Sequence, residues 1–169
     1  MSVSRIVPEA DIEANIGSLL SDSGSSRRVY LFNGDDDLVI KEGRSLPFAA
    51  NKTEWQIWEE IVGTEMADIF AECHAISTTG KYLVMERLDP DLGNQERPAT
   101  PVWLTDRKAS CLGVSSKGAV KVLDYGQSND FEGLRSKAPL QPWPSSSEVN
   151  RMGDIMSKLG DDPFGLGSD

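Results

Sequence analysis

Apolar residues recur along this chain at two spacings, and the changes between them mark out its elements. In residues 7–20, Ile12, Ile16, Leu19 and Leu20 fall three or four apart behind Pro8, Glu9 and Asp11, which predicts an N-terminal helix. Two short apolar runs, 29–32 and 38–41, flank Asn33, Gly34 and Asp35, the signature of a tight β-hairpin. Residues 51–62 return to helical spacing through Trp55, Trp58, Ile61 and Val62, with Asn51 or Thr53 available as the cap. Strands are expected at 69–76 and 82–88 around a turn at 78–81, and a last hairpin at 112–114 and 119–123 turns at Gly118. Asp106 precedes that hairpin and Asp124 follows it. Pro139, Pro142 and Pro144 then interrupt regular structure, before an amphipathic stretch at 147–159 carrying Val149, Met152, Ile155, Met156 and Leu159 and a Gly/Asp/Ser-rich tail.

These elements predict an α+β chain in three parts: a helical segment over 1–20, a core over 21–130, and a Pro/Gly/Ser-rich segment over 131–169. The 169 residues suffice for one core with less ordered ends. A net charge of −10 argues against nucleic acid or an anionic membrane as the main partner. No leader-like or membrane-spanning apolar stretch is read in the sequence, and Cys73 and Cys111 lack zinc-site spacing, so a cytoplasmic protein with two reduced thiols is expected. His74 is the single histidine, which argues against multi-histidine metal sites and a Ser-His-Asp system and leaves it a structural or surface role.

Several side chains suggest chemistry. The small-residue loop at 21–26, with Gly24, reads either as a linker or as a place where backbone approaches a phosphate. Lys41 closes an apolar strand, and Glu54, Glu59 and Glu60 lie on the following helix within reach of a buried lysine. Asp106 and Asp124, held at opposite ends of a hairpin, can face one cleft.

Taken in order, four stretches resemble the protein-kinase fold. LVIK at 38–41 is similar to the strand whose lysine holds nucleotide phosphates, and YLVMERLD at 82–89 to the strand and hinge that meet adenine. TDRK at 105–108 resembles the catalytic loop, and VLDYG at 122–126 the metal-binding Asp-Phe-Gly; the eighteen positions from Asp106 to Asp124 fit the family spacing. The resemblance covers about residues 20–130 and implies a small lobe, an antiparallel sheet plus one helix, joined to a much reduced second lobe built on the catalytic-loop hairpin. It also implies ATP and Mg2+ as cofactors. Lys41 would hold phosphates and pair with a helix glutamate, either Glu54, favoured by its helix face, or Glu60, favoured by loop length. Met85 would take the gatekeeper position, with backbone groups of Glu86 to Leu88 at adenine. Asp106 would orient a substrate hydroxyl, Lys108 offset charge on the moving phosphoryl group, and Asp124 bind magnesium.

The chain departs from the family at defined places. Cys111 stands where the second metal ligand, an asparagine, belongs, and Thr105 replaces the arginine before the catalytic aspartate. Seventeen positions separate Asp89 from Asp106, too few for the usual helical pair, and nothing after Gly126 resembles an activation segment or substrate lobe. The expected function is a small, atypical kinase-like phosphotransferase. The alternative is a pseudokinase-like nucleotide- or protein-binding module, including a viral accessory or structural protein. A protein partner would meet the acidic surface, the Pro-rich segment and the 149–159 stripe; the oligomeric state stays open.

Overall fold

A computed structural model describes residues 5–24, 26–128 and 133–144. The expected helix at 147–159 and the tail lie outside these residues.

The chain is a mixed α+β fold, mostly sheet, with two α-helices among the described residues. It begins with β1 (Arg5–Val7), α1 (Glu9–Glu13) and β2 (Ile16–Ser21), followed by β3 (Arg27–Phe32), β4 (Asp35–Gly43) and α2 (Ala49–Ile61). After a 3-10 turn at Glu65–Ile69 come β5 (Cys73–Ser77), β6 (Tyr82–Glu86) and β7 (Thr100–Pro101). The hairpin β8 (Leu112–Val114) and β9 (Val120–Val122) and the short β10 (Leu140–Gln141) complete the order. A six-stranded sheet runs β1-β5-β6-β4-β3-β2, and β1 is parallel to β5 while its other pairs are antiparallel.

The β3–β4 hairpin turns at Asn33-Gly34, where Gly34 has φ +90°, as its sequence requires. Its alternation sorts side chains between the two faces of the sheet. Val39 packs with Trp55, Trp58 and Ile61 of α2, whereas Ile40 packs with Ile12 of α1, Tyr82 and Val84. Burying each large apolar side chain of α2 contributes about 1.5–3 kcal/mol before entropy is set against it.

The N-terminal region differs from the single helix expected over 7–20. Helix α1 keeps only its Ile12 side of that pattern, and Ile16, Leu19 and Leu20 belong to β2 instead. Helical spacing gives way because β2 satisfies its backbone against β3 in an irregular ladder, Ile16 opposite Phe32 and Leu19 opposite Tyr30. Gly17 permits this, since a Cβ there would stand 2.8 Å from the Leu31 carbonyl oxygen. The expected strand at 69–76 is likewise shortened to Cys73–Ser77, its first residue closing the 3-10 turn.

The chain after β6 closes over the α2 side of the sheet. Phe70 stacks on Trp103 with centroids 5.3 Å apart and meets Tyr125 edge-on at 4.9 Å. The Tyr125 hydroxyl donates its one hydrogen to the Ala71 carbonyl (2.9 Å), which leaves the Cys73 thiol as donor to Tyr125 (3.0 Å). Both cysteines are free thiols. Among the described residues no helix is long and apolar enough to cross a membrane.

Candidate functional site

The candidate site is built on the sheet face that α2 covers. Lys41 lies directly opposite Val29 in the β3–β4 ladder and shares the face of Val39; two residues along β3 from Val29, Arg27 falls on that face opposite Gly43. Strand alternation therefore points one lysine and one arginine inward, and both are buried, at 5% and 8% exposure.

Glu54 of α2 receives them. Lys41 Nζ lies 3.1 and 3.2 Å from the two Glu54 carboxylate oxygens, and Arg27 donates to Glu54 Oε2 at 2.5 Å. The backbone N–H of Tyr125 donates to Glu54 Oε1 at 3.0 Å, so a fully buried carboxylate has charged or hydrogen-bonded partners on both oxygens. Glu60 is elsewhere, paired with Arg135 at 2.8 Å. Of the two glutamates weighed for Lys41, Glu54 is the one in contact.

Asp124 completes a quartet. The β8–β9 hairpin is stitched to the rest of the chain at both ends: Ala71 N–H donates to the Val122 carbonyl, and Asp89 and Val114 exchange backbone bonds of 2.8 and 2.7 Å. Past its end, the Leu123 carbonyl accepts from Lys41 Nζ (2.6 Å), and Asp124 Oδ1 accepts from the second terminal nitrogen of Arg27 (2.6 Å). Gly126 follows where a side chain would not fit, because a Cβ there would stand 2.8 Å from the Ala50 carbonyl oxygen at the start of α2.

The charges shift one another's proton affinities. Burial works against the Lys41 ammonium and leaves its pKa lowered despite Glu54. Burial also opposes ionisation of Asp124, but the charges of Lys41 and Arg27 outweigh it and hold the carboxyl below its ordinary range. Arg27, although desolvated, is held protonated by Glu54 and Asp124.

Asn51, expected as a helix cap, does different work. Helix α2 starts after Phe48 with no side-chain cap, and the buried Asn51 amide donates to the carbonyls of Lys41, Gly80 and Lys81 at 2.8–3.1 Å. Its oxygen faces Arg27 at 3.4 Å. Arg27 did not stand out in the sequence, and Asn51 stood out only as a helix cap. The only available signal for Arg27 was its two-residue offset from Val29 on the strand.

Asp106 and Lys108 lie on the loop before β8. They pair with each other at 3.2 Å, Lys108 well exposed at 71%. The Asp106 hydrogen bond and charge, with Cys111 and Asp124 adding, raise the Lys108 pKa. Burial first, then the charges of Asp106 and Asp124, push the Cys111 thiol up to about 11. Asp106, Lys108, Cys111 and Asp124 thus sit within electrostatic reach of one another, and Asp124 links them to Lys41. Gly24 is exposed in the loop three residues before Arg27, its missing side chain facing the Arg27 carbonyl oxygen at 3.2 Å.

Met85 is buried at the end of β6. Glu86, Arg87 and Asp89 spend their backbone N–H groups on Glu72, Asp37 and Val114, while the Leu88 N–H takes part in none of these bonds. The Glu86 side chain is held by Lys121 at 2.8 Å.

A magnesium ion would have to compete for its oxygen ligands here. That ion takes oxygen ligands in near-octahedral geometry at about 2.0–2.1 Å. Here Asp124 Oδ1 already accepts from Arg27, Asp106 is paired with Lys108, and position 111 offers a protonated thiol. Among the described residues, no group of three or more His, Cys, Asp or Glu side chains converges to hold a metal ion. Comparison of the chain with known protein families and with curated proteins finds no match.

Proposed function

We propose that this chain is a protein-kinase-like nucleotide-binding module, with the region where β3, β4 and the end of β9 meet as its phosphate site. The observation that carries the reading is the buried Lys41 held between Glu54 and the Leu123 carbonyl, one residue from Asp124. Burying an ammonium is costly, and a lysine that serves only stability gains nothing from an inward position that a leucine fills at lower cost. A lysine fixed beside a solvent-reachable opening is suited to an anionic ligand that enters from outside. Asp124, at 43% exposure, marks that opening.

The reading extends to the base. In this reading the backbone of Leu88, three residues after the buried Met85, meets the edge of a planar heterocycle. Lys41 at the phosphates and Leu88 at the base agree with the order of motifs along the sequence.

A second reading, phosphoryl transfer, is favoured by one specific observation: Asp106 and Lys108 are paired, within electrostatic reach of Asp124. In that role Asp106 accepts the proton of a substrate hydroxyl and Lys108 offsets charge on the transferring group.

Calorimetric titration with ATP tests the first reading. Wild type binds, and Lys41→Met loses at least tenfold in affinity while keeping its circular dichroism; absence of heat from wild type contradicts the reading. Transfer of labelled phosphate to protein or peptide, abolished in Asp106→Asn, separates the second reading from binding alone.

A further inference from the structure

Arg27 follows directly on the exposed small-residue loop, yet its guanidinium turns inward beneath the sheet. One terminal nitrogen serves Glu54 and faces Asn51; the other serves Asp124. Two cations, Lys41 and Arg27, therefore balance two anions, Glu54 and Asp124, and the cleft is electrically neutral before any ligand arrives. A dication on Asp124 would have to share that carboxylate with a guanidinium nitrogen 2.6 Å from its oxygen, and the two would repel.

A guanidinium carries five N–H donors in a planar fork that matches phosphate oxygens. The contacts to Glu54, Asn51 and Asp124 leave the Nε hydrogen and one terminal hydrogen. The nitrogen bound to Asp124 adjoins that half-exposed carboxylate.

We propose that Arg27 takes the part of the divalent cation, so that the cleft binds nucleoside triphosphate through Lys41 and Arg27 directly, with no metal ion. This rests on the nucleotide reading above. Magnesium competes with Arg27 for Asp124, and the remaining N–H donors of Arg27 meet the phosphate oxygens in its place. Asp124 positions Arg27 and opposes the phosphates, the reverse of a metal ligand's contribution.

Calorimetry with ATP in EDTA and in excess magnesium tests this. Wild type binds in EDTA with an affinity equal to or greater than that in magnesium. Arg27→Gln weakens binding in EDTA at least tenfold. Asp124→Asn, at a half-exposed position and therefore tolerated by the fold, tightens binding in EDTA severalfold by removing a negative charge that faces the phosphates. Binding only in magnesium, or loss of EDTA binding in Asp124→Asn, overturns the proposal while the nucleotide reading stands. No binding in either buffer overturns both.

Discussion

The buried quartet and the 105–108 loop both bring carboxylates and cations together, but they are held by different physics. Glu54, Lys41 and Arg27 are shut off from water, each with several partners, and their positions are fixed from three elements: β3, β4 and α2. Asp106 and Lys108 make one ion pair at the surface. Among Glu54, Lys41 and Arg27, low dielectric makes each charge depend on the others, so removing Glu54 leaves its neighbours buried and unpaired, whereas half-exposed Asp124 can be replaced with less disturbance. At the loop, water replaces any partner that is lost. The first region thus behaves as part of the fold, and the second as a fitting attached to it.

The sharpest way to break this contrast is Glu54→Ala. It strands two buried cations and the Tyr125 N–H, and the expected loss is about 3–5 kcal/mol in chemical denaturation. A loss below about 1 kcal/mol would mean that water reaches the quartet freely. Next in size is Gly126→Ala, which forces a methyl group against the Ala50 carbonyl and is expected to cost about 1–3 kcal/mol.

A smaller effect separates the regions by pH. The folded-state pKa of Asp124 is depressed, so its contribution is complete above the ordinary carboxylate range and is lost as pH falls through the folded value. As pH falls below the ordinary carboxylate range, wild type loses more stability than Asp124→Asn, because the unfolded chain binds the proton first. Parallel acid profiles would remove Asp124 from the cooperative unit. The smallest effect is expected at Lys108→Ala: no measurable change in the denaturation midpoint, since the side chain is exposed and its one partner is resolvated.

These regions were also legible to different degrees. The Asn33-Gly34 turn, the apolar stripe of α2 and the Gly118 turn, at φ +82°, were readable because each depends on local chemistry. Helix α2 starts two residues earlier than expected and ends one residue sooner. Lys41 was singled out by its place at the end of an apolar run, and Glu54 by its helix face. Arg27 was not, because an arginine after a serine-rich loop reads as solvated until a glutamate from a helix 27 positions away is brought beneath it. Asn51 was misread for a related reason: an asparagine at a helix start suits a cap locally, and only the return of β6 supplies the Gly80 and Lys81 carbonyls that claim its amide. Strand β2 was hidden by chance helical spacing, its true partner lying in β3. What sequence reading missed is nonlocal pairing.

We propose that Glu54, Lys41, Arg27 and Asp124, together with the backbone of Leu88, hold nucleotide phosphate and base. Backbone amide shifts in a titration with ATP test it most directly. Arg27, Lys41, Leu88 and Asp124 are expected to move together, with one saturating curve, while the Gly34 turn at the far end of the β3–β4 hairpin stays still. Shifts confined to other parts of the sheet, or none in these four residues, would contradict it.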